Sequence, residues 1–357
     1  MTGSKIILDD WNTVFRKIPE TINGRTHEIM EASNNCVDFD NYLVLKSRLA
    51  VVMKDVGCFD YINHATGDQA IINAIALSKK YTGLKNIYIV KDAFHGITMK
   101  LFRDGVFDFN DISISEIALD DLEKTIGSCG ENSMLILEPF LFFARFGAPG
   151  IDIIRSAVKM ANNRRVLVLL DEIRSGVFCT GQFLFLQKCM PLDVTFICFS
   201  KGLALGIPTS VLAIKEGFFS KEIIKKEDRL KSCMSTSEVA MQRSNDLLQY
   251  YLNDSVSFDK RLHALTKKIV EHMVPFEKYQ IIKQVNVMGM CCVFVFNGNI
   301  KKSIHRLLWT YLISKGIETR HAEDDLWFLN FALDSTSEEI NKVRIAIEEG
   351  LRLISGY

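Results

Sequence analysis

The sequence predicts an α/β fold: a large domain on a mainly parallel sheet, followed by a smaller C-terminal α+β domain. Short aliphatic or β-branched runs alternate with amphipathic helical stretches between about residues 61 and 216. Several of those runs, 166–170 above all, are continuously apolar, as strands covered on both faces are. With 357 residues, the chain is too long for one small module.

Residues 1–60 are mixed and weakly periodic, with a helix expected near 42–54. The large domain is expected over 61–249, with strands at 86–90, 134–137, 166–170, 194–199 and 210–214. Helices fall between them at 68–81 and 150–162. In the first, Ala70, Ile71, Ala74, Ile75 and Leu77 recur at helical spacing. A long helix at 239–253 leads into the smaller domain, 250–357. That domain carries strands near 290–296 and 326–331 and a last helix near 337–354, with Thr336 or Ser337 as its cap and Glu339 close behind.

The composition, 48% hydrophobic and 24% charged, is that of an ordinary folded protein. Forty-three basic residues balance forty-three acidic ones, so charge gives no case for binding nucleic acid or an anionic membrane. Nine irregularly spaced cysteines form no CxxC pair, which favours small buried hydrophobes over zinc ligands or disulfides. No apolar run reaches the roughly 20 residues that span a bilayer, and the first residues do not resemble a secretory leader. The expectation is a cytoplasmic protein without a metal site.

Ligands of open parallel sheets bind beyond the carboxyl ends of the strands. Five places there could carry chemistry. Asp171-Glu172 ends the 166–170 run, where a buried carboxylate could keep a pyridine nitrogen protonated; a magnesium ligand or helix cap is the alternative. Lys201 follows the 194–199 run, and a desolvated lysine amine is a nucleophile for carbonyls; otherwise it is a surface lysine. Thr66-Gly67-Asp68 opens a helix whose free N–H groups suit a phosphate, or is a plain cap. An inward Asp68 carboxylate would repel that phosphate. Phe94-His95 could stack on a ring or be structural. The hydroxyl-rich run 232–237 could meet phosphate oxygens or be a solvated loop. The other histidines show no ligand spacing, and phosphate loops, GxGxxG and nucleophile elbows are missing from the sequence.

In combination these segments resemble the class III aminotransferases, a family of fold-type I enzymes that use pyridoxal 5′-phosphate, and look closest to its glutamate-1-semialdehyde aminomutase branch. The run Val168-Leu-Leu-Asp-Glu-Ile-Arg-Ser-Gly-Val-Phe-Cys-Thr-Gly181 is similar to the family's aliphatic run, Asp-Glu-Val and terminal Thr-Gly. Phe199-Ser-Lys-Gly-Leu-Ala-Leu-Gly-Ile-Pro208 resembles its lysine segment. Thr66-Gly-Asp-Gln-Ala, Ala93-Phe-His-Gly96 and Leu137-Glu-Pro139 also fall in family order. The resemblance covers about residues 60–350.

It implies an aminotransferase in which Lys201 holds the cofactor as a Schiff base and shuttles the proton, with Asp171 on the ring nitrogen. Phe94 and Ile173 would sandwich the ring. Thr66, Gly67 and Asp68 would meet the phosphate, and His95 and Glu138 would border the cofactor. It also implies a homodimer in which a partner hydroxyl, Ser235 or Thr236, completes the phosphate site. Substrates would be an amine or amino acid and a keto or aldehyde compound. Aminomutation, racemisation and decarboxylation use the same parts, and a non-catalytic relative acting as a binding subunit is a further alternative.

The chain departs from the family pattern at several points. Asp68 stands for Thr or Ser, Gln69 for Glu, and Arg174 for Gln or Met. The segment 140–143 is apolar, and Asn330 replaces a carboxylate-binding arginine. Arg145, Arg174 and Arg320 become the candidates for holding an anionic substrate. The segment before Thr66 is shorter than the family's, which suggests an open site or a larger substrate.

Overall fold

The computed structural model describes residues 6–8, 14–20, 39–106, 111–190, 192–235, 237–298, 302–319 and 325–355. A seven-stranded sheet dominates: β1 (Phe59–His64), β2 (Asn86–Val90), β3 (Ser113–Ile117), β4 (Ser133–Leu137), β5 (Leu167–Asp171), β6 (Phe196–Phe199) and β7 (Ser210–Lys215), in the order β1-β7-β6-β5-β4-β2-β3. Neighbours from β6 through β3 pair in parallel. β7 runs antiparallel to both β6 and β1. β1, β2, β4, β5 and β6 therefore point the same way and end on one edge.

The two faces of the sheet explain the continuous apolar runs. Leu135, Leu137, Val168, Leu170, Ile197 and Phe199 belong to one buried core, while Met134, Ile136, Leu169, Phe196 and Cys198 belong to a second core on the opposite face. Alternate side chains of a strand point to opposite faces, and both faces are covered. Helix α1 (Gly67–Thr82) packs Ala70, Ile71, Ala74, Ile75 and Leu77 into the second core. Ile154, Ala157, Val158 and Ala161 of the helix Pro149–Asn163 join the first. Helix α1 begins at Thr66, whose hydroxyl accepts the Gln69 N–H (3.3 Å), and ends at Gly83, which takes the left-handed conformation that glycine tolerates best.

A smaller antiparallel sheet follows, built from Ile282–Met288, Cys291–Phe296 and Leu326–Asn330, with Cys291–Phe296 in the centre. The last helix, Ser337–Ser355, opens with a capping box: Thr336 accepts from the Glu339 N–H (3.2 Å) and Glu339 accepts from the Thr336 N–H (2.8 Å). Thr336, of the two expected caps, takes that role. Cys129, Cys179, Cys189, Cys198, Cys291 and Cys292 are buried thiols, and Cys58 is exposed. Among the described residues no helix is long and apolar enough to cross a membrane.

Candidate active site

The parallel strands deliver the candidate residues to a single edge. Val90 leads to Phe94 and His95, Leu137 to Glu138, and Phe199 to Lys201, while Asp171 ends β5 itself. Asp171 is in register with Cys198 of β6, so the aspartate and the lysine come from adjoining strands. A cavity of about 360 Å³ opens there, within the range of small-molecule sites. Thr66, Gly67, Asp68, Phe94, Glu138, Asp171, Ile173, Arg174 and Lys201 all line it.

Asp171 is buried. Its Oδ2 lies 2.7 Å from His95 Nδ1, and its Oδ1 accepts the Ile173 N–H at 3.2 Å. Burial pushes the Asp171 carboxyl up and nearby Glu138 adds to this, while the bond and charge of His95 pull it back; the net direction is upward. His95 Nε2 is buried with no hydrogen-bond partner among the described residues. A proton on Nδ1, donated to Asp171, leaves only a lone pair unsatisfied there and favours the charged carboxylate against burial.

Glu138 is 1% exposed and accepts from Arg174 Nε and from the Phe94 N–H (2.9 Å). Burial would raise its carboxyl, but the charge and hydrogen bond of Arg174, with His95 and the Phe94 N–H, outweigh burial and hold it below the usual range. The Arg174 guanidinium also sits 5.0 Å from the Phe140 ring centroid and 5.9 Å from that of Phe328.

Asp68, in the first turn of α1, is tied to Thr98. Its Oδ2 accepts from the Thr98 hydroxyl (3.2 Å) and N–H (3.4 Å). The N–H groups of Gly67 and Asp68 cannot pair within their own helix, so the anion-binding end of α1 stays chemically available. Gly67 lies against Ile173: a Cβ there would lie 2.4 Å from Ile173 Cδ1 and push that side chain aside. Gly96 has φ +91°, and a Cβ on it would strike Asp68. Lys201, half-buried in the wall, holds a left-handed backbone at φ +48°. Ser200 before it donates its hydroxyl to the Thr209 carbonyl (2.5 Å), tying the turn to β7.

The neighbour of Asp171 has a different task. Glu172 accepts from the N–H groups of Phe185 (2.6 Å) and Leu186 (2.7 Å) and from the Ser175 hydroxyl (3.1 Å). Burial pushes its carboxyl up to about 7. Its acceptor capacity serves the chain segment beneath the site and not a ligand. The adjacent Asp-Glu spelling gave no sign of this division.

The remaining candidates stand as follows. Arg145 is outside the pocket wall, bridging Asp92 (3.2 Å) and Asp325 (3.5 Å). Arg320 and Thr236 fall outside the described residues. Ser235 is the last residue of the helix Lys221–Ser235, so most of the run 232–237 is helical and not a loop. Asn330 is buried on the edge of the small sheet, where its side-chain oxygen accepts from Cys179 Sγ (3.5 Å). The sequence reading missed Ile97, Pro208 and Thr209, which also line the pocket. Thr98, which bonds to Asp68, lies thirty residues from it and carries no local signal.

The family model for aminotransferase class III matches residues 115–350. The chain belongs to the class III aminotransferases. Among curated relatives of this class III chain, 4-aminobutyrate aminotransferase of Mycobacterium bovis is 21% identical over 238 residues, covering 56% of this chain and 53% of the relative. Acetylornithine aminotransferase of Methanopyrus kandleri is 26% identical over 212 residues, covering 56% and 52%. The chain thus spans about half the length of the curated relatives it matches. In overall shape it is similar to an S-selective transaminase from Arthrobacter sp., with a TM-score of 0.79, 16% identity, and coverage of 97% of this chain and 88% of that one. The adenosylmethionine-8-amino-7-oxononanoate aminotransferase of Methanocaldococcus jannaschii has the same TM-score and identity, with coverage of 96% and 87%. At such identities the likeness concerns the fold, and it agrees with the sheet expected from the sequence.

Proposed function

We propose that this protein is a pyridoxal 5′-phosphate-dependent aminotransferase, moving an amino group between an amine or amino acid and a carbonyl compound. Members of its family depend on that cofactor in general. The observation that carries the reading is the joint opening of Lys201 and the buried, histidine-bonded Asp171 into one cavity from adjacent strand ends. The residues fit the group: a buried carboxylate for the ring nitrogen, Phe94 and Ile173 as apolar walls, and the free N–H end of α1 for the phosphate.

When bound, the cofactor supplies a protonated ring that accepts the electron pair of a broken C–H bond. Lys201 Nζ would hold it covalently, and the same amine would serve as the base that takes the substrate proton and returns it. Asp171 would keep the ring nitrogen protonated, with His95 holding Asp171 in place. Phe94 and Ile173 fix the plane against which the reacting bond is oriented. A homodimer, with a hydroxyl of the 235–236 segment completing a neighbour's phosphate site, belongs to the same reading.

Addition of pyridoxal phosphate should turn the purified protein yellow. Borohydride should bleach the band and leave the reduced adduct on Lys201, and a Lys201→Ala control should show neither. An amine donor should then discharge the colour of untreated protein. A colourless protein without an adduct would sink the proposal.

A further inference from the structure

We propose that Val14 is a positioning residue for Lys201: tethered by way of Asp334 in the small domain, it packs on Gly202 and fixes the turn that carries the reactive amine. The proposal rests on the aminotransferase reading, in which the direction of that amine matters.

The turn needs holding. Lys201 and Leu205 both take left-handed backbones, at φ +48° and +51°. That conformation is costly for a residue with a side chain, and it persists where the surroundings leave no room to relax. Gly202, directly after the lysine, is walled by two valines: a Cβ there would lie 3.3 Å from Val14 Cγ2 and 3.3 Å from Val177 Cγ1. Val177 and Phe178 are buried and left-handed themselves, at φ +51° and +68°, which is uncommon for bulky residues. Val177 belongs to the large domain that carries Lys201. Val14 reaches the turn from the other end of the chain.

The small domain fixes the position of Val14. Its carbonyl accepts the Leu333 N–H at 2.8 Å. The N–H groups of Arg16 and Lys17 donate to the two oxygens of Asp334, at 2.8 and 2.9 Å. Bonds to an ionised acceptor are stronger than neutral ones, so Asp334 is the main tether. The Arg16 guanidinium pairs with Glu339 in the first turn of the last helix. Phe15 packs edge-on against Tyr250 and Phe258, with ring centroids 5.4 and 6.3 Å apart. Phe258 also lies 4.6 Å from the Phe178 ring, so one aromatic cluster backs both valines. Val14, Arg16, Lys17 and Asp334 are not among the described residues lining the cavity, and their route to the chemistry is the turn.

The test separates placing the amine from holding the fold. Lys201 captures pyridoxal phosphate when its amine condenses with the aldehyde and water leaves, and the visible band times that step. Pyridoxamine 5′-phosphate has an amine in place of the aldehyde, so its affinity reports the pocket without the covalent bond. Val14→Ala, which removes the carbon that meets Gly202, should slow capture about tenfold and leave pyridoxamine phosphate affinity within about twofold of native. Val14→Thr, which keeps the outline of the side chain, should restore most of the rate. Asp334→Ala should slow capture as Val14→Ala does, and Asp334→Asn, which keeps one acceptor, should fall between. Val343→Ala truncates a buried side chain of the last helix and should capture at the native rate. If Asp334→Ala does not fold, the two variants at position 14 and the one at 343 decide. Native capture in Val14→Ala, or equal slowing in Val343→Ala, would overturn the proposal and leave the aminotransferase reading intact. A native protein without a borohydride-stable bond at Lys201 would defeat both.

Discussion

His95 Nδ1 lies 2.7 Å from Asp171 Oδ2, and both side chains are out of solvent although 76 residues separate them in the chain. Burial drives the Asp171 carboxyl towards its neutral form, and this bond opposes it. Histidine is here a positioning residue whose hydrogen bond favours the charged carboxylate. Replacing His95 with Phe removes a hydrogen bond to a charged group, worth about 1.5–3 kcal/mol. Pyridoxal phosphate should then bind roughly 10- to 100-fold more weakly. The pH below which binding fails should also move upward, because Asp171 takes up its proton more readily. Spectroscopic titration of the visible band across pH checks both; unchanged affinity would detach His95 from the cofactor.

Glu172 gives a stability prediction. Its carboxyl is raised by burial from 4.5 to about 7. An acid more basic in the folded state than in the unfolded state favours folding while protonated. That stability is fully present below about pH 4.5 and is lost as pH rises to about 7, with a magnitude of roughly 3 kcal/mol. Glu172→Gln should flatten this window in urea titrations run at pH 5 and pH 7.5. Glu172→Ala should cost more at pH 5 than at pH 7.5, since the variant has no carboxyl to titrate and the N–H groups of Phe185 and Leu186 lose their buried acceptor.

Asp68 stands beside the end of α1 where an anion would sit, restrained by Thr98. Replacing it with Thr removes a negative charge within the first turn. Electrostatics at a helix N-terminus of about 0.3–1 kcal/mol predict a two- to fivefold gain in pyridoxal phosphate affinity, and a similar gain for inorganic phosphate as competitor. Equilibrium dialysis measures both. Weaker binding in the variant would mean that the Asp68–Thr98 bond shapes the loop more than its charge harms the ligand.

The parts of the fold legible in the sequence are those whose burial is two-sided. Residues 86–90 and 210–214 read as strands because nearly every position is apolar, and helix 68–81 because its buried positions repeat every three or four residues. Phe59–His64 gave no such signal: it is an edge strand that carries Asp60, Asn63 and His64. Ser113–Ile117, at the other edge, is mostly exposed and correspondingly polar. In the site, Lys201 and Asp171 were readable because each closes an apolar run. The roles of Glu172 and Arg174 were not, since each is decided by a partner 13 or 36 residues away. Hydroxyls in 232–237 read as a loop because serine and threonine favour turns, yet the helix Lys221–Ser235 includes two of the four, Ser232 and Ser235.

The left-handed backbone of Lys201 implies a compromise between endurance and chemistry. A lysine at φ +48° carries backbone strain of about 1–3 kcal/mol, which asparagine or glycine bears with less discomfort. Lys201→Asn should therefore melt at a higher temperature than the native protein, by a few degrees, while losing the ability to hold the cofactor covalently. Rigidity alone would favour another residue at that turn, whereas the proposed role of the Lys201 amine requires this one.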